Sequence, residues 1–76
     1  MNALELKAQI NSLSTCVYFS YKGQDGGVDP FNENYFDMWY GDNYKKAESI
    51  DEVMNFPLFD GKSLSQIASQ LDYIDW

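Results

Sequence analysis

Asp25, Asp29, Asn32, Glu33 and Asn34 put five oxygen-bearing side chains into a ten-residue window. Such ligands suit a hard cation like calcium. Their spacing, however, lacks the alternating Asp/Asn before a Gly, with Glu at the twelfth position, that an EF-hand loop requires. The window therefore reads as a solvated polar loop. Cys16 is the only thiol. A reactive cysteine needs positive charge nearby to lower its pKa, and its chain neighbours are Thr15 and Val17. It reads as a small apolar filler at the start of a strand.

The residues that usually carry catalysis are missing. There is no histidine, and all five basic residues are lysines. The chain thus lacks both the side chain that titrates near neutrality and the fork that clamps phosphates or oxyanions. The GQDGG stretch has neither the lysine nor the spacing of a phosphate-binding loop. A pair of carboxylates would find little room for enclosure in 76 residues. The expectation is a protein that is not an enzyme, with no cofactor and no metal.

Aromatic residues are the more informative set. Thirteen of the 76 residues are Phe, Tyr or Trp, and those between Tyr18 and Tyr44 include most of them. Each can bury about 150–250 Å², so thirteen exceed what one small core hides. Two segments, Cys16–Tyr21 and Tyr35–Tyr40, have strand composition. Gly41-Asp42 suits a tight turn of type II′, and Asn43–Glu48 would return as a third strand. Trp39 would then face Tyr44, Asp37 would face Lys46, and Phe36 would face Ala47. A turn one residue later shifts the partners by two and leaves every face unchanged. The twelve residues from Gly23 to Asn34 are rich in turn formers and are expected to form a mobile or functional loop.

Helices must hold this sheet. Asn2 and Glu5 have capping-box spacing ahead of a stripe of Ala3, Leu6, Ile10 and Leu13. Ser49 with Glu52, and Ser63 with Gln66, repeat the capping pattern. The first precedes Ile50, Val53 and Met54, with Pro57 as a stop. The second precedes Leu64, Ile67, Ala68, Leu71 and Ile74, the clearest helical spacing in the chain, with Trp76 beyond it as an apolar clasp or a frayed end. The order α-β-β-β-α-α predicts a small α+β single domain over residues 1–76. Its three-stranded antiparallel meander would carry helices packed on one face.

Side-chain parity separates the two faces of that meander. Val17, Phe19, Tyr21, Phe36, Met38, Tyr40 and Ala47 form a nearly uniform apolar set, which should meet the helices. Cys16, Tyr18, Ser20, Tyr35, Asp37, Trp39, Tyr44, Lys46 and Glu48 mix Tyr and Trp with charge. Tyr18, Tyr35, Asp37, Trp39 and Tyr44 are accordingly the candidate protein-interaction residues, since Tyr and Trp are enriched at binding hot spots. Cross-strand pairs such as Trp39–Tyr44 also stabilise a sheet with no partner at all.

Size and charge bound the partners. A chain this short hides about 60% of its unfolded surface, and its core alone rarely supplies more than about 3–5 kcal/mol. A single cysteine rules out an intrachain disulfide, which leaves association with a protein partner or a second copy, or an efficiently packed core rich in large side chains. The net charge of −7 repels phosphate backbones and anionic membranes. Direct nucleic-acid binding and membrane attachment are not expected. No apolar run approaches the ~20 residues of a membrane span, the N-terminal residues lack a secretion-signal pattern, and the lone thiol makes the cytoplasm the expected location. The run SIDEVMNFPLFDGKSLSQI loosely resembles segments of small bacterial or phage proteins; it carries no catalytic or ligand motif, and no role is transferred from it. The expected function is a small acidic interaction module docking through its aromatic sheet face. The alternative is an acidic inhibitor that mimics nucleic acid and occupies the basic groove of a DNA- or RNA-handling protein, separable by its steeper salt dependence.

Overall fold

The computed structural model describes residues 1–75; the clasp or frayed end expected at Trp76 falls outside the described residues. The first helix, α1 (Ala3–Asn11), begins where the sequence places it. Asn2 Oδ1 accepts from the Glu5 N–H at 2.8 Å, and the Glu5 carboxylate accepts from the Asn2 N–H at 3.1 Å. Leu6 and Ile10 are buried. Leu13 leaves the expected stripe: the helix stops at Asn11, and Leu13 has φ 60° and an exposed side chain. Ser12, Ser14 and Thr15 compete for backbone hydrogen bonds, and Ser12 Oγ donates to the Gln9 carbonyl.

Four consecutive strands follow: β1 (Val17–Tyr21), β2 (Gln24–Asn32), β3 (Tyr35–Tyr40) and β4 (Asn43–Ala47). The expected loop from Gly23 to Asn34 is therefore a correction, because most of it is the central strand β2. Lys22 and Gly23, both at positive φ, make the two-residue turn that pairs Tyr21 with Gln24 and has the geometry of a type I′ hairpin. Gly26 and Gly27 are strand positions because neighbours occupy the space of a side chain. A Cβ on Gly26 would lie 2.8 Å from the Trp39 carbonyl oxygen. Pro30 is tolerated because β1 pairs with β2 only as far as Val28. Its missing N–H costs no ladder bond on that side, and the register shifts just beyond it, between Pro30 and Asn32.

The second hairpin is as expected. Gly41, at φ 60°, and Asp42 link Tyr40 to Asn43, and the register pairs Trp39 with Tyr44, Asp37 with Lys46, and Phe36 with Ala47.

Two helices and a fifth strand complete the chain. Helix α2 (Ile50–Asn55) is capped by Ser49, whose side chain accepts from the Glu52 N–H at 3.1 Å. Asp60 and Gly61 turn the chain so that Phe59 and Lys62 exchange backbone hydrogen bonds of 2.9 and 3.1 Å. Helix α3 (Leu64–Ile67) runs into a 3₁₀ turn over Ala68–Gln70. At its start, Gln66 Oε1 accepts from the Ser63 N–H at 2.9 Å. The expected long helix to Ile74 is corrected here: Tyr73–Asp75 form β5, antiparallel to β1. Without β5 the outer edge of β1 would leave its backbone groups unpaired. Pairing satisfies them, and the Asp72 N–H adds a 2.9 Å bond to the Ser20 carbonyl.

The result is an α+β fold with a five-stranded antiparallel sheet in the order β4-β3-β2-β1-β5, wider than the expected three strands. One face carries Val17, Phe19, Val28, Phe36, Met38 and Ala47, all buried with the apolar side chains of α1, α2 and α3. Phe59 completes this core with its ring 5.6 Å from Phe19 and 5.5 Å from Tyr40. The Tyr40 hydroxyl donates to the Tyr21 carbonyl at 2.8 Å, so its one polar atom is satisfied. No helix among the described residues is long and apolar enough to cross a membrane.

Candidate binding face

The opposite sheet face is made by the alternate residues of the same strands. From β4 to β5 it presents Tyr44 and Lys46, then Tyr35, Asp37 and Trp39. Asp25, Gly27, Asp29 and Phe31 follow, then Tyr18 and Ser20, and last Tyr73 and Asp75. Tyr18 is 50% exposed, Tyr44 61% and Tyr73 58%.

The five residues singled out from the sequence share this face but fall into separate groups. Trp39 lies over Gly27: a Cβ there would sit 2.5 Å from Trp39 Cζ2. The indole thus reaches across β2 towards Tyr18, whose ring meets it edge-on at 5.7 Å and 63°. Trp39 and Tyr44 are register partners as expected, and the indole lies over the glycine on its other side. Tyr44 donates its hydroxyl to the Asp37 carboxylate. That bond and the neighbouring negative charge push the Tyr44 phenol up to about 12.

Tyr35 belongs to a different group. Phe31 meets it edge-on at 4.9 Å, and the Lys46 ammonium lies 4.3 Å from its ring centroid. Lys46 and Asp37 face each other in register, but the lysine is drawn to the ring and the carboxylate to Tyr44. Three ion pairs form among the described residues, Lys7–Asp51, Lys22–Asp60 and Lys45–Glu52. None involves Asp25, Asp29, Asp37 or Asp75. Four aspartates therefore stand on this face against one lysine.

A hollow of about 310 Å³ opens between strands β3 and β5, lined by Tyr18, Trp39, Tyr73, Asp25, Phe19 and Gly26. Gly27, in register between Tyr18 and Trp39, adds no side chain of its own to this face. Tyr73, Asp25 and Phe31 were absent from the sequence-derived set: Tyr73 sat in an expected helix, and the other two in an expected loop. Gly27, directly across from Trp39, was the available signal.

The other candidate chemistry is placed as follows. Cys16 precedes β1 and is partly exposed. Burial pushes its thiol up and the Asp29 carboxylate pushes it further, outweighing the opposite effect of Tyr18. Asp25, Asp29 and Asn32 lie along β2, and Glu33 and Asn34 in the turn that follows it. Asp25 and Glu33 are eight residues apart, roughly 25 Å in extended chain. Among the described residues no three acidic or cysteine side chains converge as a metal site would require. No family model, curated protein or solved structure matches this chain.

Proposed function

We propose that this protein is a non-catalytic interaction module whose partner docks on the sheet face carrying Tyr18, Tyr35, Asp37, Trp39 and Tyr44. One observation carries the reading: the helices all pack on the Phe19–Phe36–Met38 side. The aromatic side is left uncovered, with Tyr18 and Tyr44 at least half exposed. Tyr and Trp bury large areas at little conformational cost and keep a polar tip for water or partner. The hydrogen-bonded Tyr44–Asp37 pair and the Lys46–Tyr35 contact supply a polar frame of the kind that surrounds interface cores.

Charge favours a foreign partner over a second copy. Self-docking through this face would bring the same aspartates together, and like charges across an interface disfavour association. The test is partner capture from the native host, followed by affinity measurement with Trp39→Ala protein shown to be folded. A loss of about 2 kcal/mol or more in binding is expected, as for hot-spot truncation. Unchanged affinity would remove the face from consideration. The rival reading, an acidic mimic of nucleic acid, predicts the opposite pattern. Neutralising Asp29 and Glu33 would then abolish binding, and Trp39→Ala would not.

A further inference from the structure

The hollow beside Trp39 has a chemistry more specific than the face around it. Its walls are three aromatic side chains, Tyr18, Trp39 and Tyr73, and one carboxylate, Asp25. Its volume, about 310 Å³, lies at the bottom of the range of about 300–1,000 Å³ for small-molecule sites. It is open to solvent and suits one side chain rather than a large ligand. Aromatic ring faces carry negative electrostatic potential, so several of them around a small space attract a cation. Asp25 has no lysine partner among the described residues, and Lys46, the one lysine on the face, is held against Tyr35. The positive charge this hollow favours is thus not supplied from within the described chain.

We infer that the hollow seats an arginine side chain of a basic protein segment, stacked against Trp39 and paired with Asp25. This rests on the reading of the face as a docking surface and names the partner's chemistry. Arginine fits better than lysine for a physical reason. Its guanidinium is flat, weakly hydrated and able to lie on an indole while giving two N–H donors to one carboxylate; an ammonium holds its water more tightly. Gly27 lets the Trp39 ring settle over β2 beside Tyr18, where it forms one wall of the hollow. The surrounding Asp29, Asp37 and Asp75 favour a basic segment over an acidic or neutral one.

The test uses the whole protein, isotopically labelled, with two small probes: N-acetylarginine amide and its neutral near-isostere, N-acetylcitrulline amide. Arginine amide should produce saturable shifts in the Trp39 indole N–H and in the Gly26 and Gly27 amides. Citrulline amide should bind more weakly by about fivefold or more. Asp25→Asn should weaken the arginine probe by a similar factor, whereas Asp42→Asn, on the β3–β4 turn, should leave it unchanged. Equal response to both probes would show an apolar contact only and overturn the inference. So would no saturable response at these groups, or an unaltered response in Asp25→Asn. The docking reading fails separately: if Trp39→Ala disrupts partner binding while arginine and citrulline amides behave alike, the face stands and only the arginine seat falls.

Discussion

The Trp39 ring occupies the place where Gly27 would otherwise carry a side chain. A Cβ on Gly27 would come within 2.5 Å of both Trp39 Cζ2 and the Val17 carbonyl oxygen. The ring can rotate away, but the Val17 backbone is fixed in the β1–β2 ladder. Gly27→Ala is therefore expected to lose about 1–3 kcal/mol, the usual cost of overpacking. Urea denaturation measures this, and the Trp39 indole resonance should move in the same variant. An unchanged midpoint would mean that the indole does not rest on Gly27.

Tyr44 and Asp37 give a pH signature. The phenol donates to the carboxylate, and ionising it would remove the donor and set two negative charges side by side. Its folded pKa, about 12, lies above the ordinary value of about 10. The contribution of this contact to stability is thus fully present below about pH 10 and is lost as pH rises towards 12. Ultraviolet titration should show a late-ionising tyrosine that disappears in Tyr44→Phe. Asp37→Asn should bring the same phenol back towards the ordinary range.

Cys16 should be sluggish. Only the thiolate reacts, and burial together with Asp29 raises the thiol pKa, so less thiolate is present near neutrality than for a free cysteine. Alkylation should be slower than for a cysteine peptide, and its rate should keep rising at pH values where the peptide has levelled off. Asp29→Asn should speed it. A rate faster than the peptide's at neutral pH would show an activated thiol.

The helix caps carry a measurable share of stability. Ser49 accepts the Glu52 N–H, and Ser49→Ala leaves that donor without its partner. The expected loss is about 0.5–2 kcal/mol, read from the denaturation midpoint. Ser63→Ala should fall in the same range, since it removes a largely buried hydroxyl that reaches Gln66 Oε1 at 3.3 Å.

The two sheet faces were legible in the sequence because alternation is a local property. Val17, Phe19 and Tyr21, with Phe36, Met38 and Tyr40, point inward whichever strands lie between them; the sequence left two registers open for the second hairpin, and the one turning on Gly41-Asp42 is adopted. Strand β2 was not legible, since Gly26, Gly27 and Pro30 are each poor strand formers. Their place in the sheet is set by distant partners, chiefly the ring of Trp39 and the end of β1. Strand β5 was hidden for another reason. Leu71 and Ile74 fit a helical spacing, and three residues are too few to show alternation. The candidate face was accordingly found, but its hollow was missed: two of its walls, Asp25 and Tyr73, come from these two strands.

The attachment of β5 has a kinetic consequence. Strands β1 to β4 pair through tight turns between chain neighbours, whereas β5 reaches back to β1 across roughly fifty residues. Closing so long a loop carries an entropic cost that short hairpins avoid, and contacts of this separation form slowly. The three-residue ladder of β5 should therefore zip last and open first, with faster amide exchange at Tyr73–Asp75 than at β2 or β3. Tyr73 is the aromatic wall of the hollow that this last ladder brings in, so opening of β5 removes it.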